Sequence, residues 1–127
     1  MLLPLINWLY LRQRIRAGTL VRTEFPWFGR HVDLVTLTES RLATAYELKL
    51  GALGRALEQA SLNRLAFDRS YVVTASKPRP ENLDLAAATG IGIIMVRKHK
   101  VEQVLQSPRI GRDPLVRKRL LEAIRKI

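Results

Sequence analysis

Cysteine is absent from the 127 residues, and acidic residues are scarce, with 11 Asp and Glu against 22 Lys and Arg. Without cysteine the chain has no disulfide, no thiolate metal site and no cysteine nucleophile, and a reducing cytoplasm is the simplest setting. The net charge of +11 favours a polyanionic partner whose phosphates the protein neutralises. With 47% hydrophobic residues, the chain should fold as a single domain over residues 1–127.

A long apolar run is also missing. The opening segment from Met1 to Leu11 is apolar, but Asn7 interrupts it and it is far shorter than the ~20 residues that span a bilayer. No positive charge precedes it and no small-residue cleavage site follows it, so a signal peptide is not indicated. We interpret the segment as part of a helix over about 3–16 that packs on the domain or on a second copy of the chain. A helix lying on a membrane surface is the alternative interpretation.

The order of the apolar patterns predicts an α/β fold with a mixed central sheet flanked by helices. We expect three antiparallel strands, a helix, a strand–helix–strand unit with parallel strands, and a basic helical extension over about 97–127. The expected elements are strands at 19–25, 31–37 and 42–48, a helix at 52–67, a strand at 70–74, a helix at 80–88, a strand at 91–96, an edge segment near 101–105 and a helix at 113–127.

Two carboxylates and a lysine lie at the ends of neighbouring predicted strands. Asp33 is on the second strand, and Glu47 and Lys49 share one face of the third because side chains alternate along a strand. Two carboxylates close together repel each other, and Mg²⁺ or Mn²⁺, which prefer hard oxygen ligands, would relieve that repulsion. The pattern predicts a metal-dependent phosphodiesterase. The triplet from Glu47 to Lys49, taken alone, is more typical of an exposed salt bridge at a strand end. Its combination with Asp33, the strand order, the Gln59 helix and the basic surface favours the nuclease-type site.

This arrangement resembles the PD-(D/E)xK nuclease superfamily, whose restriction-endonuclease-like core has the order α-β-β-β-α-β. The resemblance covers about residues 19–74 and extends more loosely to 96, so the core is expected over about 19–96. It implies that Asp33 and Glu47 hold Mg²⁺ or Mn²⁺ together with the backbone carbonyl of Leu48. It also implies that Lys49 assists the attack of water on phosphorus.

The same resemblance implies a role for Glu24. Many members of the superfamily carry a further glutamate shortly before the aspartate, and residues 1–23 contain no acidic residue. Glu24 is therefore either a third catalytic carboxylate or the partner of a simple ion pair with Arg22 or Arg30.

Gln59 matches a glutamine that the RecB-like branch of the superfamily places on the helix after the third strand. The chain departs from the family pattern at two positions. Asn63 occupies the place of a tyrosine found in that branch, and Val32 rather than proline precedes Asp33. Gln59 either orders the site or lies on the polar face of the helix.

Basic residues supply candidate phosphate contacts, which would bind nucleic acid without sequence specificity. Those selected are Arg30, Arg55, Lys98, Lys100, Arg112, Arg117, Lys118 and Arg119. His31 shares a strand face with Asp33 and could touch a substrate phosphate, or it could be an ordinary hairpin residue. Trp27 and Phe28, in the predicted turn, could stack on a base or pack in the core.

Together these features predict a Mg²⁺-dependent deoxyribonuclease that hydrolyses phosphodiester bonds, with DNA favoured over RNA as substrate. The alternative is a non-catalytic nucleic-acid-binding module on the same fold, recruited to a larger repair, restriction or defence assembly. The apolar first helix offers a surface for a homodimer. A cytoplasmic location without a membrane partner is expected.

Overall fold

The computed structural model describes residues 1–51, 53–110 and 113–126. These residues form four helices and six strands in an α/β arrangement. In chain order the elements are α1 (Leu2–Leu11), β1 (Leu20–Trp27), β2 (Arg30–Leu37), β3 (Ala43–Lys49), α2 (Gly54–Asn63), β4 (Arg69–Thr74), α3 (Pro80–Thr89), β5 (Ile91–Arg97), β6 (Lys100–Leu105) and α4 (Pro114–Arg125).

The six strands form one mixed sheet in the order β1-β2-β3-β4-β5-β6. Neighbours are antiparallel for β1–β2, β2–β3 and β5–β6, and parallel for β3–β4 and β4–β5. The predicted antiparallel meander and the predicted parallel pair are therefore confirmed. Since β3, β4 and β5 run in the same direction, their last residues lie at the same end of the sheet, together with the β1–β2 and β5–β6 turns. We call this the carboxyl end of the sheet.

Helices cover both faces of the sheet, and the alternation of strand residues decides which side chains each helix buries. On the face covered by α1, Leu5 and Leu9 are fully buried against Leu34 and Tyr46. On the face covered by α2, α3 and α4, residues of α2 pack on β4 and β5, and residues of α4 pack on β2. Each fully buried leucine contributes about 1.5–3 kcal/mol to stability. Tyr46 belongs to the α1 face, so its neighbour Glu47 belongs to the α2 face.

The first helix is shorter than predicted. It ends at Leu11 rather than near residue 16, because Gln13 adopts a left-handed conformation with φ 58°. The amide of Arg14 then donates to the carbonyl of Leu9 at 2.8 Å, which closes the helix end. Sequence patterns place glycine at such positions, so Gly18 was the expected end. No helix within the described ranges is long and apolar enough to cross a membrane.

The second helix also ends early, at Asn63 rather than near residue 67. The amides of Leu65 and Ala66 bond to carbonyls three residues back, at 3.1 Å each, so the chain tightens and leaves the helix. The first predicted residue of this helix, Ala52, lies outside the described residues. At the other end of the fold, α4 is capped by Asp113, whose Oδ1 accepts from the amide of Leu115 at 2.8 Å.

The first strand is longer than predicted, since it continues through Pro26 to Trp27. Proline is tolerated here because β1 is an edge strand. The turn to β2 then consists of Phe28 and Gly29, both with positive φ, at 48° and 74°. This tight turn leaves the Phe28 side chain 76% exposed at the carboxyl end of the sheet.

Candidate functional site

The site begins where β2 and β3 separate. The last paired residues are Leu34 and Tyr46, and continuing the register would place Val32 opposite Leu48. Instead, the amide of Leu48 donates to Oδ2 of Asp33 at 2.8 Å. The Asp33 side chain thus replaces a backbone partner, and this contact holds its carboxylate against β3.

Glu47 is 4% exposed and points towards α2. Its Oε1 accepts from Nδ2 of Asn63 at 3.0 Å, and Asn63 is fully buried. In turn, Oδ1 of Asn63 accepts from Nη2 of Arg30 at 2.7 Å. The second terminal nitrogen of Arg30, Nη1, is buried without a partner among the described residues. A chain of contacts from β2 through α2 therefore orients the Glu47 carboxylate.

The pKa of Glu47 is raised to about 7, mainly by burial and in addition by the neighbouring negative charge of Asp33. The hydrogen bond from Asn63 and the positive charge of Arg30 act in the opposite direction. The two carboxylates lie close enough to interact directly, and the cation nearby does not fully compensate them. Such a pair fits a divalent cation, because its oxygen donors are hard and its repulsion is relieved by positive charge.

Few protein ligands converge at this pair. Across residues 1–51, 53–110 and 113–126 no group of three or more Asp, Glu, His or Cys is placed to hold a metal ion. Mg²⁺ commonly uses one or two carboxylates and keeps several water molecules, so Asp33 and Glu47 suffice as its charged ligands. Leu48, whose carbonyl is the predicted further ligand, directly follows Glu47, and its amide donates to Asp33.

Lys49 ends β3 and is half-buried. An open cavity of about 610 Å³ is lined by Leu48, Lys49, Leu50, Gly51, Gly54 and Arg55. The exposed Arg55, on the first turn of α2, therefore shares this cavity with Lys49. The lysine and the arginine provide positive charge beside a space large enough for a phosphodiester.

Glu24 lies opposite Asp33 in the β1–β2 register, between the pairs Thr23–Leu34 and Phe25–Val32. Its side chain is exposed and its φ is 49°. The ion pair considered for it is not found among the described residues. Arg22 donates instead to the carbonyl of Ile124 at 3.0 Å, and Arg30 donates to Asn63. His31 is exposed two residues before Asp33.

Sequence reasoning missed the role of Asn63. It selected Gln59, which is half-buried on α2, but the hydrogen bond to Glu47 comes from Asn63, four residues later on the helix. Residues four apart lie on the same helix face, so the spacing from Gln59 was the available signal.

Basic side chains gather at the carboxyl end of the sheet. Lys98 and Lys100 are exposed at the β5–β6 turn, at the same end as Lys49. Lys77 and Arg79, which sequence reasoning did not select, are exposed in the loop after β4 at this end. Their position directly after a parallel strand was the signal that could have found them.

The basic residues of α4 lie elsewhere. Arg117 forms an ion pair with the buried Asp68, with Nε 3.2 Å from Oδ1, and also contacts the carbonyl of Arg41 in the β2–β3 turn. Oδ2 of Asp68 accepts from the amide of Ala43 at the start of β3. Four residues of strand, roughly 13 Å, separate this point from Glu47. The observed contacts of Arg117 are therefore within the protein and away from the carboxylates.

Lys118 and Arg119 follow Arg117 on α4 and are exposed. The remaining selected cation, Arg112, lies outside the described residues. Arg30 is half-buried and bound to Asn63, so its observed contact is within the protein.

The sequence matches no protein-family model and no curated protein. Solved structures with a similar fold include the SPO1766 protein of unknown function from Silicibacter pomeroyi. It is 22% identical with a TM-score of 0.61, and the match covers 91% of this chain and 84% of that one. A repair endonuclease from Pyrococcus abyssi is 19% identical with a TM-score of 0.55. That match covers 76% of this chain but only 47% of the endonuclease, so the chain spans about half of its length.

SfsA from Pyrococcus furiosus, solved in complex with Ca²⁺, is 11% identical with a TM-score of 0.46, over 79% of this chain and 60% of that one. At the identities of the first two structures, the likeness defines the fold alone. It agrees with the six-stranded mixed sheet and the four helices found within the described residues. The predicted fold class is thereby confirmed: the chain is an α/β protein with a restriction-endonuclease-like fold.

Proposed function

We propose that the protein is a metal-dependent nuclease that hydrolyses phosphodiester bonds in DNA. The observation that carries this proposal is that Asp33, held by the amide of Leu48, interacts with the buried carboxylate of Glu47, two residues from Lys49, which lines an open cavity. A buried carboxylate whose pKa is raised by burial and by a second carboxylate is typical of functional sites.

Each residue of the site has a distinct role. Asp33 and Glu47 would hold Mg²⁺ or Mn²⁺, with the carbonyl of Leu48 as a further ligand. When bound, the ion supplies Lewis-acid polarisation of the phosphate and a water of lowered pKa. Lys49 orients the attacking water and stabilises the negative charge that grows on the phosphate oxygens. Asn63 donates to Oε1 of Glu47 and would hold this carboxylate in place as a ligand of the ion.

The surroundings of the site support a nucleic-acid substrate. The net charge of +11 and the lysines at the β5–β6 turn provide the phosphate neutralisation that drives binding. The similar fold of a repair endonuclease is compatible with this chemistry. DNA is the proposed substrate, and RNA is included as an alternative substrate in the cleavage assays described below.

A non-catalytic nucleic-acid-binding module is the second candidate. It is favoured by one observation: only two carboxylates come together, with no larger acidic group within the described residues. Such a module would bind DNA through its basic surface and would use Asp33 for its contact with Leu48 alone.

Cleavage assays separate the two candidates. Labelled linear, nicked, branched and single-stranded DNA, and single-stranded RNA, are incubated with Mg²⁺ or Mn²⁺ and wild type, Lys49→Ala, Asp33→Asn or Glu47→Gln. Lys126→Ala, which removes the same charge from the exposed end of α4, is the matched control. We expect cleavage that EDTA abolishes, a loss of about 10²–10³-fold in each site variant, and little change in the control. Near wild-type cleavage by any two site variants contradicts the proposal, and binding without cleavage by all proteins supports the module.

A further inference from the structure

A second cavity, of about 550 Å³, lies on the α1 face of the sheet. Its floor consists of strand residues that are neighbours in the register. Thr36 pairs with Thr44, which pairs with Arg69, and Tyr46 pairs with Tyr71. The carboxylate pair lies on the opposite face and towards the other end of these strands. The cavity is therefore separate from the candidate active site.

The roof of the cavity is the segment 13–19 that follows α1. The left-handed conformation of Gln13 ends the helix and turns this segment over the sheet. Within the roof, the amide of Arg16 donates to Oγ1 of Thr19, and the amide of Thr19 donates to the carbonyl of Arg16, both at 3.0 Å. These internal hydrogen bonds hold the roof in place before any ligand arrives, which lowers the entropy cost of binding.

Positive charge dominates the lining. Arg14, Arg16 and Arg69 contribute to it, and Glu39 is the one carboxylate among the lining residues. Within the described residues none of these three arginines forms an ion pair with a carboxylate. The three guanidinium groups therefore keep their charge available to a ligand.

The arginines are held by neutral groups. The guanidinium of Arg14 lies over the ring of Trp8, 5.0 Å from its centre. Nη1 of Arg69 donates to the carbonyl of Ser107 at 2.9 Å, and Nε of Arg16 donates to a carbonyl of the roof at 3.0 Å. Such contacts restrict the side chains without neutralising them, and they leave other guanidinium donors for a ligand.

The electrostatics of Tyr46 agree with this arrangement. Burial raises the pKa of the Tyr46 hydroxyl, and the neighbouring Tyr71 adds to the effect. The charges of Arg14 and Arg69, which line the cavity together with Tyr46, act in the opposite direction on this pKa. The interior of the cavity is thus electropositive.

We propose that this cavity binds a phosphate-bearing small molecule of about mononucleotide size. Guanidinium forks match phosphate oxygens in pairs, and three of them suit a doubly charged phosphomonoester better than a single carboxylate. The largely buried Thr36 and Thr44 contribute hydroxyl donors beside Arg69. Cavities of ~300–1,000 Å³ commonly hold small ligands, so the volume allows a nucleoside as well as its phosphate.

Isothermal titration calorimetry in 0.15 M KCl with EDTA tests the proposal without involving the metal-dependent site. The probes are adenosine monophosphate, inorganic phosphate, adenosine and acetate, with wild type, Arg14→Gln and Arg69→Gln. Arg125→Gln, an exposed arginine of α4 on the other face of the sheet, is the matched control. We expect adenosine monophosphate and phosphate to bind, and adenosine and acetate not to bind. Each cavity variant should weaken binding about ten-fold or more, and the control less than two-fold.

Several results would overturn this assignment. They are no binding of either phosphate compound, equal binding of acetate, and an unchanged affinity in both cavity variants. An equal loss in the control would place binding on the general basic surface. If a 5′-phosphorylated trinucleotide binds more tightly than the mononucleotide, the ligand of the cavity is the end of a nucleic-acid strand and not a small molecule. Melting curves verify folding, and the exposed Arg16→Gln replaces any variant that fails to fold.

Discussion

The buried amide of Asn63 donates from Nδ2 to Oε1 of Glu47 at 3.0 Å and accepts at Oδ1 from Arg30 at 2.7 Å. Its orientation is fixed by charge. A flipped amide would place its oxygen against the carboxylate and its NH₂ group against the guanidinium, and both contacts would be repulsive. Asn63 therefore links a cation on β2 to the carboxylate on β3.

Replacing Asn63 tests this link. Asn63→Leu has a similar size but removes both hydrogen bonds, so the free energy of unfolding should fall by about 1–3 kcal/mol. Because the Asn63 contact lowers the pKa of Glu47, its loss should move the acidic limb of the pH–rate profile for cleavage to higher pH. Gln59→Leu, on the same helix, is the control and should leave the profile in place. An unmoved profile in Asn63→Leu would show that the amide does not act on Glu47.

The pH dependence of stability should report Glu47 directly. Its pKa is about 7 in the folded protein against an ordinary value of 4.5, so the folded state binds more protons between these limits. The contribution of Glu47 to the stability of the metal-free protein should therefore be most favourable below pH 4.5 and should fall as the pH rises towards 7. The full effect is about 3 kcal/mol. Urea unfolding at pH 5 and pH 8 should show this loss in wild type and a smaller one in Glu47→Gln. An equal loss of stability between pH 5 and pH 8 in the two proteins would contradict the assignment.

Much of the site follows from local sequence. Alternation in β2 and β3 predicts that Asp33 and Glu47 come together, and their interaction follows from the register of the two strands. The spacing from Gln59 places Asn63 on the same helix face, but which of the two reaches Glu47 depends on where α2 lies over β3, and that depends on tertiary packing. The early end of α1, caused by Gln13, could not be predicted from the sequence either. A glutamine in the left-handed conformation carries no sequence signal comparable to that of glycine.

Charge density was also an incomplete guide. The tail is rich in Lys and Arg, and its density predicted phosphate contacts throughout. The structure ties Arg117 to Asp68 near the start of β3, at the other end of the sheet from Lys49. Other exposed cations, which follow β4 and β5, lie at the end of the sheet that holds Lys49. Arg117 differs from these cations because it forms a tertiary ion pair, and they differ from it because they lie in loops. Composition alone reveals neither difference.

Metal binding should stabilise the protein through the carboxylate pair. Mn²⁺ at 100 times its dissociation constant should raise the free energy of unfolding by about 2.7 kcal/mol. Asp33→Asn should lose most of this gain, because a charged ligand is gone. Lys49→Ala should keep it, because the ammonium group repels the ion and is no ligand. Thermal melts over a Mn²⁺ titration measure the gain, and an equal gain in Asp33→Asn and wild type would place the metal elsewhere.

Arg117 and the β5–β6 turn should separate stability from DNA binding. Arg117→Ala leaves the 3%-exposed Asp68 side chain without its cation, which should cost roughly 2–3 kcal/mol of stability. It should leave the salt dependence of DNA binding unchanged. The double variant Lys98→Ala, Lys100→Ala should show the reverse, with normal stability and a log–log salt slope reduced by about 1.8. A reduced slope in Arg117→Ala would return this residue to the DNA-binding surface.

Glu24 tests whether backbone strain accompanies a role in the site. A left-handed conformation costs an ordinary residue about 1–2 kcal/mol, and Glu24 adopts it, with φ 49°, opposite Asp33. Asparagine tolerates this conformation, so Glu24→Asn should gain up to about 1 kcal/mol of stability. If Glu24 serves as the third carboxylate, the same change should lower cleavage. Gln13→Asn makes a similar change at φ 58°, far from the carboxylates, and should raise stability while leaving cleavage unchanged. A stabilised Glu24→Asn with full activity would assign the strain to the course of β1 alone, because the carboxylate would then be dispensable for the chemistry.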